Sequence, residues 1–70
     1  MECEGNACNV TEVVWDDAES GYWVKNHGNR PILVSLTSSS GELCLRLRPG
    51  ARSVVRVADF DLPYSASFCD

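Results

Sequence analysis

The chain is poor in the groups that catalysis draws on. It has one histidine, His27, set in an Asn/Gly turn, and no G-x-S-x-G elbow. Nucleophilic catalysis therefore lacks its base and its strained nucleophile. There is no phosphate loop, no dinucleotide fingerprint and no D-x-[DN]-x-[DN]-G calcium loop. The acids paired in sequence, Asp16/Asp17 and Asp59/Asp61, flank turns. Glycoside hydrolysis needs one carboxylate raised by burial, which solvated turn acids do not supply. A non-enzymatic protein with no cofactor is expected.

Long apolar runs are missing too. None approaches the ~20 residues of a membrane helix, so no membrane partner is expected. The opening Met1-Glu2-Cys3-Glu4-Gly5 is acidic, not an apolar leader, and a cytoplasmic protein is expected. Removal of a leader would make it secreted. With 70 residues the chain makes one domain, and its core is too small to wall in a deep pocket. Hydrophobic residues are 44% and charged residues 23%, which excludes the composition of a disordered chain.

Four cysteines, Cys3, Cys8, Cys44 and Cys69, permit two bridges in three connectivities. A Cys3–Cys69 bridge would clip the termini together, whereas a cytosolic setting favours free thiols. Cys3 and Cys8 form a lone C-x4-C with no second knuckle, so no metal site is expected. Asn9-Val10-Thr11 fits the glycosylation sequon, but a strand Thr explains it as well.

The hydrophobic period is close to two, the signature of strands. The runs 8–15, 22–25, 32–37, 43–48, 53–57 and 64–68 alternate or are rich in β-branched residues. Turn signals separate them at Ser20-Gly21, Asn26-His27-Gly28-Asn29, Ser38-Ser39-Ser40-Gly41 and Pro49-Gly50. Pro49-Gly50 suits the centre of a type II turn. Leu43, Leu45 and Leu47 are expected to face inward. So are Val55, Val57 and one face of Tyr64, Ala66 and Phe68. The fold expected is all-β: a small antiparallel sandwich or partly open barrel of five to six short strands. Residues 1–70 form one β domain, with 1–7 a flexible acidic N-terminus. From Asn26 to Val57 the layout resembles the immunoglobulin-like β-sandwich.

What is abundant is segregated charge. Residues 1–24 carry −6, residues 25–58 carry +5 and residues 59–70 carry −3, for a net −4. Acidic and basic strands lying side by side would neutralise each other. Held apart, they would make faces of opposite sign. Arg46, Arg48 and Arg56 read as a charged sheet face that resists edge aggregation, with no direct nucleic-acid binding. Trp15, Tyr22 and Trp23 flank the acidic turn, and at least one tryptophan is expected in the core.

If the first and last strands lie close, Glu12, Asp16, Asp17, Glu19, Asp59 and Asp61 converge on one rim, with Trp23 as an anchor. Carboxylates in a row fit the Lys/Arg groove of a nucleic-acid-binding protein. In size, acidity and lack of a catalytic motif, the chain resembles phage-encoded anti-CRISPR inhibitors. That resemblance implies a non-enzymatic blocker of a nucleic-acid-handling effector in the host cytoplasm, in some members a DNA mimic. A monomer is expected, and exposed strand edges leave a homodimer open. The +5 middle segment departs from a pure DNA mimic. The alternative expectation is a disulfide-clipped secreted or surface module that binds a protein or carbohydrate.

Overall fold

A computed structural model describes residues 1–69. It is a β-sandwich of two sheets. In chain order the strands are β1 (Cys3–Glu4), β2 (Thr11–Asp16), β3 (Gly21–Asn26), β4 (Ile32–Ser38), β5 (Gly41–Leu47), β6 (Arg52–Val55) and β7 (Tyr64–Phe68). One sheet has the order β1-β7-β4-β5 and the other β2-β3-β6. All pairings are antiparallel except β1 with β7.

The alternation read in the sequence is the alternation of burial. Ile32, Val34 and Leu36 on β4 are fully or almost fully buried, with Val24, Val55, Leu47, Tyr64 and Ala66 around them. Leu33, between them, and Thr37, just after them, face solvent. Pro49-Gly50 forms its turn as expected: Gly50 takes φ +76°, and the Ala51 N–H donates to the Arg48 carbonyl at 3.0 Å.

Four features differ from the sequence reading. There are seven strands, because β1 adds a two-residue parallel pairing with β7. Cys8–Val10 is a 3-10 turn and not the start of β2. Residues 1–7 are tied down and not a loose extension: Ala7 is fully buried, and its N–H donates to the Ala66 carbonyl. Gly5 lets this segment lie close to β7, since a Cβ there would stand 2.2 Å from the Ala66 carbonyl oxygen. Leu43 is 39% exposed, while Leu47 is 5% exposed. β5 is an edge strand, and the second sheet covers it mainly where the chain crosses over at 48–51.

Neither tryptophan enters the core. Trp15 is 43% exposed and Trp23 is partly exposed. The aromatic core positions go to Phe60 and Tyr64, with Tyr22 packed against them. Their rings make an edge-to-face chain from Trp15 to Tyr22 (5.0 Å), to Phe60 (4.9 Å) and to Tyr64 (6.2 Å).

Asn26 is the buried polar residue of the core, fully inaccessible. Its Nδ2 donates to the Arg30 carbonyl at 2.8 Å and to the Leu47 carbonyl at 3.1 Å. Its Oδ1 accepts from the Gly28 N–H at 2.9 Å. The backbone N–H donates to the Ala51 carbonyl, and the backbone carbonyl accepts from Gly50. Cys3 and Cys8 form a disulfide, and Cys44 and Cys69 are exposed free thiols. This differs from both four free thiols and a terminal clip.

Three outcomes follow from this core. Asn26→Ala leaves the buried Leu47 carbonyl without its partner and frees the part-buried Arg30 carbonyl and Gly28 amide, so chemical denaturation should show a loss of about 1–3 kcal/mol. Asn26→Asp keeps the shape but turns a donor into an acceptor, and should lose at least as much. Burial also raises the Tyr64 phenol above its ordinary value of 10.0. A raised folded value favours the neutral form. Its contribution to stability is therefore whole below the unfolded value and is lost as pH rises through the folded one. Alkaline unfolding should set in above pH 10 and be weaker in Tyr64→Phe, as read by circular dichroism against pH.

Candidate acidic interaction end

The register sorts the charges by end. Asp16 closes β2 and Gly21 opens β3, so the 17–20 turn lies at one end of the three-stranded sheet. Ser38 and Gly41 place the 39–40 turn at one end of the other sheet. Contacts through the 56–63 segment show that these are the same end of the sandwich. Arg56 Nη2 donates to Glu19 Oε1 at 2.6 Å, and the Asp61 N–H donates to the Thr37 carbonyl. Glu2 joins them, since its carbonyl accepts from the Tyr64 N–H at the start of β7.

Glu2, Asp16, Asp17, Glu19, Glu42, Asp59 and Asp61 therefore share one end, and Arg56 is the base among them. Lys25, Arg30, Arg46, Arg48 and Arg52 lie towards the other end, on and around the 27–31 and 48–51 connections. The acids expected to converge do so in five cases: Asp16, Asp17, Glu19, Asp59 and Asp61. Glu12 does not, because it stands opposite Lys25 and its Oε1 lies 2.8 Å from His27 Nε2. Glu2 and Glu42 are additions that sequence reading passed over. The cross-strand partnership of Glu42 with Thr37 carried the signal for one of them.

The carboxylates are held by short local bonds. Asp16 Oδ1 accepts from the Ala18 N–H at 2.9 Å, and Asp16 Oδ2 accepts from Trp23 Nε1 at 2.7 Å. Trp15 Nε1 donates to Asp17 Oδ1. Asp59 Oδ1 caps the Phe60 N–H at 2.8 Å. Glu42 Oε2 accepts from the Ser35 hydroxyl at 3.0 Å. Both tryptophans thus spend their indole N–H on acids of the 16–20 turn, and this is why they sit at the surface.

Between the 38–40 turn and residues 56–61 lies an open cleft of about 470 Å³. Ser38, Ser39, Ser40, Arg56, Asp59 and Asp61 line it, with Phe60 in its wall. It is a gap between loops and open to solvent, not the walled pocket that the chain length disfavours. The residues suit a cationic group: hydroxyls and carboxylates accept, and Glu19 already engages Arg56. Among the described residues, no group of three or more His, Cys, Asp or Glu is placed to hold a metal ion.

Comparison of the chain with known protein families, with curated proteins and with solved structures finds no match in any of the three. Function is accordingly argued from the residues. Asp16→Ala removes two hydrogen bonds that order the turn and fix the Trp23 indole. Urea denaturation should show a loss of about 1–2 kcal/mol, with a red shift of tryptophan emission in the folded state.

Proposed function

We propose that this chain is a non-enzymatic interaction protein that docks its acidic end onto a basic, nucleic-acid-binding partner and blocks it. The observation that carries this reading is the shared end of Asp16, Asp17, Glu19, Asp59 and Asp61, offset by Arg56 alone. A groove built for phosphates presents Lys and Arg at close spacing, and rigid carboxylates compete for it. The hairpin turn is preorganised by the Asp16 and Asp17 bonds, so little ordering is lost on docking. Attraction between opposite fields makes such association fast and sensitive to salt. In its most specific form this is a DNA mimic of the anti-CRISPR kind, acting on a CRISPR effector in the cytoplasm of a phage host.

One observation favours a second reading. The Cys3–Cys8 bridge suits an oxidising compartment. It fits a secreted or surface β module binding a protein or carbohydrate.

The test is capture from host lysate on tagged protein, washed at low and high salt. The first reading expects a nucleic-acid-binding complex that leaves the resin as salt rises. Asp17→Lys/Asp61→Lys should lower its recovery at least tenfold while circular dichroism shows the fold kept, the Asp17 change costing only the exposed bond from Trp15. Recovery of a salt-insensitive partner with no basic groove, or equal recovery by the double variant, removes the acidic end from the function.

A further inference from the structure

The outer face of the three-stranded sheet is left uncovered, and its pattern is its own complement. Residues opposite one another in an antiparallel pair lie on the same side. Val24 is fully buried and pairs with Val13 and Ser53, which fixes the inner side. The residues between them face outward. On β2 these are Glu12, Val14 and Asp16, on β3 Gly21, Trp23 and Lys25, and on β6 Arg52 and Val54. Arg56 continues the β6 column: a Cβ built at Gly21 would stand 3.0 Å from the Arg56 Cα.

One outer column is thus acid–valine–acid and the other base–valine–base. Between them Trp23 lies in register with Val14 on one side and Val54 on the other. Val14 is 47% exposed. Trp23 is fixed before any partner arrives, by the Asp16 bond and by the Arg52 guanidinium 4.4 Å from its ring centroid. Among the described residues, Arg52 and Lys25 pair with no carboxylate. The two ion pairs that touch these columns, Glu12–His27 and Glu19–Arg56, are solvent-exposed and worth little.

We propose that this face is a homodimer interface, with the two-fold axis lying in the interface along β3. That operator lays β2 of one copy over β6 of the other. Glu12 then meets Arg52 of the second copy, Val14 meets Val54, and Asp16 meets Arg56, each contact occurring twice. Trp23 stacks near Trp23 of the second copy at the centre, where buried aromatics carry most binding energy. Lys25 also meets its own copy, and its long stem lets the ammonium turn out to the rim. The alternative two-fold, across the strands, would set Glu12 against Asp16 and Arg52 against Arg56, so charge selects the first. A sheet face of three strands is small for a stable dimer, and self-association is accordingly weak. The proposal does not depend on the function above, although the axis along β3 places both acidic ends on the same side.

The test is sedimentation velocity on protein carrying Cys44→Ser and Cys69→Ser, which prevents disulfide cross-linking while keeping the Cys3–Cys8 bridge. Concentration runs from ~10 µM to ~1 mM at low salt, spanning weak dissociation constants. The mass should rise from one chain towards two. Arg52→Glu and Glu12→Arg, made separately on that background, should each weaken self-association at least tenfold, because like charges then face each other twice. An equimolar mixture of the two variants should dimerise again, since both pairs between positions 12 and 52 are then opposite in sign. Circular dichroism of each variant checks that the fold is kept. A parent protein that stays single-chain up to ~1 mM would overturn the proposal. So would self-association that survives either reversal, or variants that fail to associate when mixed.

Discussion

The side-chain amide of Asn26 is the constraint on which the arrangement of both ends rests. A buried amide must have its partners, and here they come from separate parts of the chain. Nδ2 reaches the Leu47 carbonyl of the four-stranded sheet and the Arg30 carbonyl of the 27–31 connection. The backbone of the same residue takes Ala51 and Gly50. Breaking the Leu47 bond strands a polar group in the core, and the part-buried bonds to Arg30 and Gly28 hold the connection around it. Together they set where the chain leaves β5, turns at Pro49-Gly50 and enters β6. That corner fixes the register of β6 on β3, and so the side to which Arg52, Val54 and Arg56 point. It also fixes where β6 ends and the 56–63 segment begins, which carries Asp59 and Asp61 to the acidic end.

The regular strands were legible because their burial has a period. Ile32, Val34 and Leu36 alternate with residues that see solvent, and Tyr64 and Ala66 are buried between half-buried serines, with Phe68 half-buried at the strand end. The β1 strand was not legible, since two residues have no period and its pairing partner lies sixty positions away. Nor was the role of Asn26. In Asn-His-Gly-Asn an asparagine that makes a turn reads the same as one that is buried at the last residue of a strand. The tryptophans misled for a related reason. Size argues for burial, yet an indole N–H needs an acceptor, and Asp16 and Asp17 offered one at the surface.

The acidic end was half legible. Asp16, Asp17 and Glu19 share a turn, so their company was certain from the sequence. Whether Asp59 and Asp61 joined them depended on which end of the sandwich the β6–β7 connection occupies. Composition carries no trace of that choice. It is made by the Asp61–Thr37 backbone bond and by the packing of Phe60 on Tyr22 and Tyr64. Glu12 fell the other way because β2 runs the length of the sheet, and four residues along a strand separate its two ends by ~13 Å.

The same geometry explains why segregated charge does not cancel within one chain. Strands of opposite sign lying side by side would pair across the ladder. In the order β2-β3-β6, however, the acidic and basic columns of the outer face are kept apart by the width of β3. Two strand spacings are ~10 Å, which is about a Debye length at physiological salt. At that separation salt weakens the attraction between the two columns, and Arg52 keeps no carboxylate partner among the described residues. Along the strands the acids and bases are separated again, by the length of the sandwich. Apart from the exposed Glu19–Arg56 and Glu12–His27 contacts and the cross-strand neighbours Glu12 and Lys25, the fold keeps the outer acidic column two strands from the basic one. On the two proposals above, the outer charges that stay unpaired meet the basic groove of a partner at one end and a second copy across the open sheet.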